Sequence, residues 1–173
     1  MIGLGAGFVI PLIATWFYFR FAIPDTYSGP LLAVSNLTIA LAAVASPKLA
    51  KKIGNVNAIV LAEGSSTIFM LSMVLAPTAT LAGGLYIVRT ALMNMSSPLS
   101  DSFLMGIIPA DQRSLASAVN SLIWRLPNSI TAVAGGIIMA TGNYALPIYL
   151  ATVFYVLGIS GFYFAFRNVK QVA

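Results

Sequence analysis

Six apolar stretches follow one another with short polar interruptions. The pattern predicts helices at about 2–22, 29–47, 55–76, 81–108, 114–140 and 145–167. Crossing about 30 Å of hydrocarbon takes about 20 residues at about 1.5 Å of rise each, and every stretch reaches or approaches that. The fourth and fifth exceed it and are expected to tilt or kink. Turn chemistry marks the breaks: Pro24-Asp25 with Ser28-Gly29-Pro30, Lys51-Lys52-Ile53-Gly54-Asn55, Pro77-Thr78, Pro109-Ala110-Asp111 and Thr141-Gly142-Asn143. The expected fold class is all-α, a single polytopic membrane domain over residues 1–173 with six transmembrane helices.

The basic residues sort to one side of these spans. Lys48, Lys51 and Lys52 follow the second, Arg113 follows the fourth, and Arg167 and Lys170 follow the sixth. The other three connections hold no Lys or Arg, and only Arg20 comes close to one. By the positive-inside rule both termini are expected in the cytoplasm, in a multi-pass protein of the cell membrane. The first and fourth helices both leave at an Ile-Pro step, Ile23-Pro24 and Ile108-Pro109, followed by a Ser-bearing helix start. Two inverted three-helix repeats would look like this.

Composition agrees. Of 173 residues, 59% are hydrophobic and 8% charged, against about 25% charged in a soluble domain. There is no Cys and no His, which excludes thiol catalysis, disulfides, the usual zinc sites and Ser–His dyads, so no metal and no cofactor is expected. The net charge of +5 does not imply nucleic acid, because the cations sit at helix ends where lipid headgroups meet them. The first apolar run is too long for a signal peptide and lacks a basic leading segment.

Function therefore has to come from polar residues inside the hydrocarbon. In the fourth helix Asn94, Ser97 and Asp101 share one face, while Arg89, Ser96 and Ser100 share another. An ionised side chain at that depth costs at least about 2.5–3.5 kcal/mol unless it meets a partner or a wet cavity. Arg89 either lines a cavity or locks helices together. Asp101 reads as a structural or gating pair near the cytoplasmic end. Pro98 is expected to bend the helix between them.

In the fifth helix Ser114, Ser117, Ser121, Arg125 and Asn128 form a stripe, flanked by Asn120 and Trp124, with Pro127 able to kink the helix. Arg125 is the strongest candidate to line a path or anchor a carboxylate, with Asp101 and Glu63 as its candidate partners. Glu63, alone in the third helix, is either a proton carrier or a neutral interhelical tie. Gly3 and Gly7 make a small-xxx-small pair for close helix approach. Trp16, Phe17, Tyr18, Phe19 and Arg20 suit an interfacial belt, with Trp16 the deepest and a cavity candidate. Asn36 is mid-membrane and either faces a cavity or bridges two helices.

Together these features resemble the C-terminal half of a major facilitator superfamily transporter, the part holding its seventh to twelfth helices, over the whole chain. Three segments carry the resemblance. Pro47-Lys-Leu-Ala-Lys-Lys-Ile-Gly54-Asn is similar to the family's Gly-x-Leu-Ala-Asp-Arg-x-Gly-Arg loop. Leu49, Ala50, Lys52 and Gly54 match, Pro47 replaces the first Gly, and Lys51 replaces the acidic residue that helps latch a conformation. Tyr86-Ile-Val-Arg89-Thr-Ala-Leu-Met-Asn-Met-Ser-Ser-Pro98 is similar to the family's Arg-bearing cavity helix, without the usual Gln-Gly after the Arg. The segment from Pro109-Ala-Asp-Gln-Arg113 through Trp124-Arg125 to Ala134-Gly135-Gly136 looks like the acidic-x-Arg loop and glycine-ended helix of its drug and small-molecule exporters. The Gly-Pro antiporter motif is absent.

The resemblance implies half of a twelve-helix secondary transporter that moves a small organic solute by alternating access, with proton-coupled efflux as the leading mode. Arg89, Asn94, Trp124, Arg125, Asn128, Asn36 and Trp16 become substrate-cavity candidates. Asp101, Glu63 and Arg113 become proton or gating candidates. The implied partners are the bilayer, a small-molecule substrate, protons, and either the missing N-terminal half or a second copy. Met1 opens directly into an apolar helix, which favours a truncated chain. The rivals are a self-contained homodimeric carrier or pore, and a non-transporting membrane scaffold. An intramembrane enzyme is poorly supported, because no membrane carboxylates pair as acid and base.

Overall fold

A computed structural model describes residues 1–168, without the side chains of Asp25, Tyr27 and Ser28. Lys170, which contributed to the charge asymmetry, lies outside the described residues. The described chain is helical with no strand: α1 (Ile2–Gly7), α2 (Ile13–Phe21), α3 (Asp25–Ile53), α4 (Asn55–Leu75), α5 (Ala79–Ile107), a 3-10 turn at Ala110–Gln112, α6 (Arg113–Ala140) and α7 (Leu146–Phe166).

The first expected helix is broken. Pro11 has no N–H to offer the Gly7 carbonyl, and the chain from Phe8 to Leu12 runs in tightened turns, with Val9 donating to Ala6 and Leu12 to Val9. The expected second helix starts earlier and ends later than its apolar core. Pro24 precedes α3 in an extended conformation and Pro30 lies in its second turn, while Pro47 does not stop it. Pro47 removes a donor for the Ala43 carbonyl, and the Ser46 hydroxyl donates there instead at 2.8 Å. The supposed loop around Lys51 and Lys52 is thus the last turn of α3, where two cations favour the negative end of the helix dipole. Its break is Gly54 alone, at φ 83° and ψ 155°, a conformation open essentially only to glycine. Pro98 and Pro127 lie inside continuous helices. Thr78 caps α5 by accepting from Leu81 N–H, and Asn143 accepts from Leu146 N–H at the start of α7.

Packing follows the small residues. α1 lies across α6 and α7, α3 against α5, and α4 between α5 and α7. A Cβ on Gly3 would stand 2.6 Å from the Trp124 carbonyl, and one on Gly7 would collide with the Asn128 carbonyl and the Thr131 hydroxyl. These glycines let α1 and α6 meet backbone to backbone. The main core joins Phe8, Trp16 and Phe17 to Met70, Met73, Tyr86, Ile148 and Tyr155. A smaller core holds Ala58, Ile59 and Leu99, with Leu49 and Ala50 packed on it.

Among the described residues, four helices are long and apolar enough to cross a membrane: Gly29–Ile53, Asn55–Leu75, Ala110–Ala140 and Leu146–Phe166. α1 and α2 are each too short to do so alone. α5 has the length, but Arg89, Asn94, Asp101 and four serines lower its mean hydropathy.

Candidate functional site

Most hydroxyls in these helices satisfy themselves. Ser35, Thr38, Ser72, Ser129, Thr131 and Thr152 each donate to a carbonyl three or four residues back, as polar side chains in apolar helices commonly do. Asn94 does the same, its amide donating to the Thr90 carbonyl at 2.9 Å. A site therefore has to be sought where polar bonds cross between helices.

They cross at the junction of α4, α5 and α7. Glu63, Ser66 and Thr67 occupy one face of α4 at helical spacing, all buried. Arg89 and Ser96, seven residues apart, are buried on the face of α5 that meets it. Arg89 is 1% exposed and Glu63 5%. The Arg89 guanidinium donates through Nη2 to the Tyr155 hydroxyl of α7 at 2.8 Å, and lies 5.7 Å from that ring's centre, within cation–π range. Ser66 Oγ donates to the Arg89 carbonyl at 2.9 Å, tying α4 to α5 backbone to side chain. Ser96 Oγ is 2.9 Å from Glu63 Oε1 and 2.8 Å from the Met93 carbonyl. One hydroxyl proton therefore serves two acceptors.

Among the described residues, Glu63 and Arg89 make no direct ion pair. Glu63 Oε2, Arg89 Nε and Thr90 Oγ1 are buried with no hydrogen-bond partner. The carboxyl thus has a free oxygen beside a shared one. It can take up or release a proton at Oε2 without breaking its contact with Ser96. That is the chemistry the cluster offers: a titratable carboxyl, an arginine fixed by a tyrosine, and hydroxyls that can reorient between acceptors.

The other expected residues lie elsewhere. Arg125 is exposed and meets neither Asp101, also exposed, nor Glu63, which correct the pairing expected from depth along the helices. Residue counting placed them level, but Glu63 is buried at the α4–α5–α7 junction while Asp101 and Arg125 are exposed. Ser114, Ser117, Asn120 and Ser121 are exposed on α6, and Trp124 is 43% exposed. Asn128 is half-buried beneath α1, its Nδ2 without a partner. Asn36 is exposed on α3. Trp16 is in the core, its indole N–H donating to the Tyr144 carbonyl at 3.0 Å. It does not share the exposed setting of Tyr18 and Phe19, at 55% and 46%. Arg113 is exposed and its Nε donates to the Ile108 carbonyl at the end of α5, at 3.3 Å. In the Leu49–Gly54 motif, Leu49 and Ala50 are packing residues, Lys52 is exposed, and Gly54 is the hinge between α3 and α4.

Sequence reasoning missed Tyr155, Ser66, Thr67 and Thr90. A signal for Tyr155 existed: it lies near the middle of α7, which runs Leu146–Phe166, whereas membrane tyrosines favour the interfaces.

A bundle with four membrane-length apolar helices, and a charged cluster buried among helices, is the construction of a multi-helix membrane protein. No known protein family, curated protein or solved structure matches the chain.

Proposed function

We propose that the chain is a six-span half of a secondary active transporter of the major facilitator type, in a cell membrane with both termini cytoplasmic. It moves a small organic solute by alternating access, with proton-coupled efflux as the mode. In this reading α1 and α2 together form one broken span, and α5 is a polar span covered by its neighbours.

The observation that carries the reading is the polar face of α6. Ser114, Ser117, Ser121 and Arg125 rise along one side of a membrane-length helix and are all exposed in the single chain. An arginine and hydroxyls facing acyl chains at that depth are costly. A second six-helix body across a watery cleft removes the cost and provides the other wall of a transport path. Exposed Asn36 on α3 adds to the same requirement.

The packing supports two inverted three-helix units. Exchanging α1 with α5, α3 with α6, and α4 with α7 maps the α1–α6 contact onto α5–α3, and α4–α5 onto α7–α1, while α4–α7 maps onto itself. Glu63 is then the proton-binding group, buried behind the path, with Arg89 and Tyr155 fixing the helices on either side of it.

The test uses the chain with its partner half, or the self-associated chain, in proteoliposomes with a pH-sensitive dye inside. Lipophilic cationic dyes serve as trial solutes. Solute movement that follows an imposed proton gradient and is lost in E63Q and R125M is the expected result. Movement indifferent to the gradient and to both substitutions would sink the proposal. A chain that associates in membranes with neither a partner half nor a second copy would do the same.

A further inference from the structure

Away from the polar cluster, α2, the start of α3 and the start of α5 line a half-open cavity of about 590 Å³, well within the size of ligand pockets. It arises from a lack of side chains. Ala79, Gly83 and Gly84 leave one face of α5 nearly bare, with Phe17, Leu31 and Ile87 around it. A Cβ on Gly83 would touch only Leu31, and one on Gly84 would meet nothing within 4 Å. Ala22, in a left-handed conformation at φ 53°, turns the chain away at the end of α2 and leaves the space open beside Pro24.

We propose that this cavity holds an acyl chain of a bilayer phospholipid. Three observations select that occupant. Of the lining side chains among the described residues, Thr80 alone carries a polar atom, so the surface offered to an occupant is chiefly hydrocarbon. A bare apolar surface against neither water nor protein forfeits its dispersion contacts, and a flexible hydrocarbon chain restores them. The same helices also present Val34 and Leu37 of α3, and Leu81 and Val88 of α5, to the outside, so hydrocarbon already lies against the elements that form the walls. The cavity sits at the helix ends 22–24 and 79–80, next to where the apolar stretch of α3 begins at Gly29. The inference needs the membrane and is independent of transport.

The experiment places the full chain in nanodiscs containing a phosphatidylcholine with a photoreactive diazirine midway along one acyl chain. After irradiation, labelled peptides are mapped by mass spectrometry. Enrichment on segments 17–31 and 79–87, over exposed positions such as Leu75 and Phe164, is the expected result. Gly84→Phe should lower that enrichment severalfold, and Gly161→Phe, at an open position on α7, should leave it unchanged. Ala79→Phe is a second filling variant should Gly84→Phe fail to fold, and the map of the unsubstituted chain decides the question without either. Uniform labelling of all exposed helices overturns the proposal, as does enrichment that survives both filling variants. Labelling on no segment overturns it together with the membrane placement, whereas a failure of transport leaves it untouched.

Discussion

Arg89 of α5 and Arg125 of α6 are both arginines well inside long helices, yet the fold treats them oppositely. Arg89 is 1% exposed, bonded to Tyr155 and stacked near its ring, with its own carbonyl held by Ser66. Arg125 projects from the bundle, and its carbonyl takes a hydroxyl from Ser129 on the same helix. The region around Arg89 is buried within the chain and tied across three helices, with Arg89 Nε, Glu63 Oε2 and Thr90 Oγ1 left unbonded. The region around Arg125 is complete only if something else lies against it. One arginine therefore reports on how this bundle is held together, and the other on which face of it is left uncovered.

The largest expected effect comes from emptying the first region. Arg89→Ala removes a buried charged donor, strands the Tyr155 hydroxyl and leaves a cavity between α4, α5 and α7. A loss of about 3 kcal/mol or more is expected from a core truncation that also breaks a charge-assisted bond. Thermal unfolding of the purified chain in detergent, read by loss of helical signal, measures it. A small change would mean that Arg89 is as loosely held as exposed Arg125, and the contrast would collapse.

Next comes Gly7→Leu, which tests how α6 is tied to the rest. Outside its contact with α1, α6 touches little of the chain, and the Gly7 position abuts the Asn128 carbonyl and Thr131. Overpacking against backbone should cost about 1–3 kcal/mol, and should free α6 while leaving the Arg89 cluster intact. Cysteines introduced at Leu12 and Gly136, which face each other across the two segments, should then change their cross-linking rate, while Glu63–Ser96 contacts, probed by a similar pair across α4 and α5, stay as they are.

The sequence shows the helices well and the faces unevenly. Apolar runs locate α3 to α7, though not the division of the first run into α1 and α2, and the split of α5 into an Arg89–Ser96 face and an Asn94–Asp101 face matches their burial: the first pair is buried, and the second is half-buried or exposed. Three things were not legible. The break at 8–12 depends on whether neighbours can satisfy the groups freed by Pro11, because Pro47, Pro98 and Pro127 interrupt nothing. Depth along a helix does not give direction around the bundle, so Arg125, Asp101 and Glu63 looked like partners and are not. Tyr155 was hidden by its own class: in so apolar a helix an aromatic ring reads as packing, and its hydroxyl gains meaning only when Arg89 arrives from a residue 66 positions away.

A finer cut at the first region is Tyr155→Phe, which keeps the ring and removes the acceptor. Arg89 Nη2 then has lost its partner while Nε already has none. The expected cost is about 1.5–3 kcal/mol, the range for a hydrogen bond to a charged group. It should fall below that of Arg89→Ala, since the cation–π contact survives. Equal costs would mean that the hydroxyl carries the whole interaction.

The smallest expected effect is the most informative about the second region. In the dilute, isolated chain Arg125→Met should shift stability by no more than about 0.5 kcal/mol, as exposed substitutions usually do. The side chain makes no bond that folding of the single chain would lose. Against a partner the outcome changes: if Arg125 faces a second body across a cleft, the substitution leaves the fold alone and lowers transport or association. The control is concentration. Should Arg125→Met destabilise the chain at high protein concentration and not on dilution, the arginine is buried by a second copy, because a bound partner stabilises only the state it binds. Should it destabilise at every concentration, Arg125 has an intramolecular partner, and the exposed stripe of α6 no longer requires a second half.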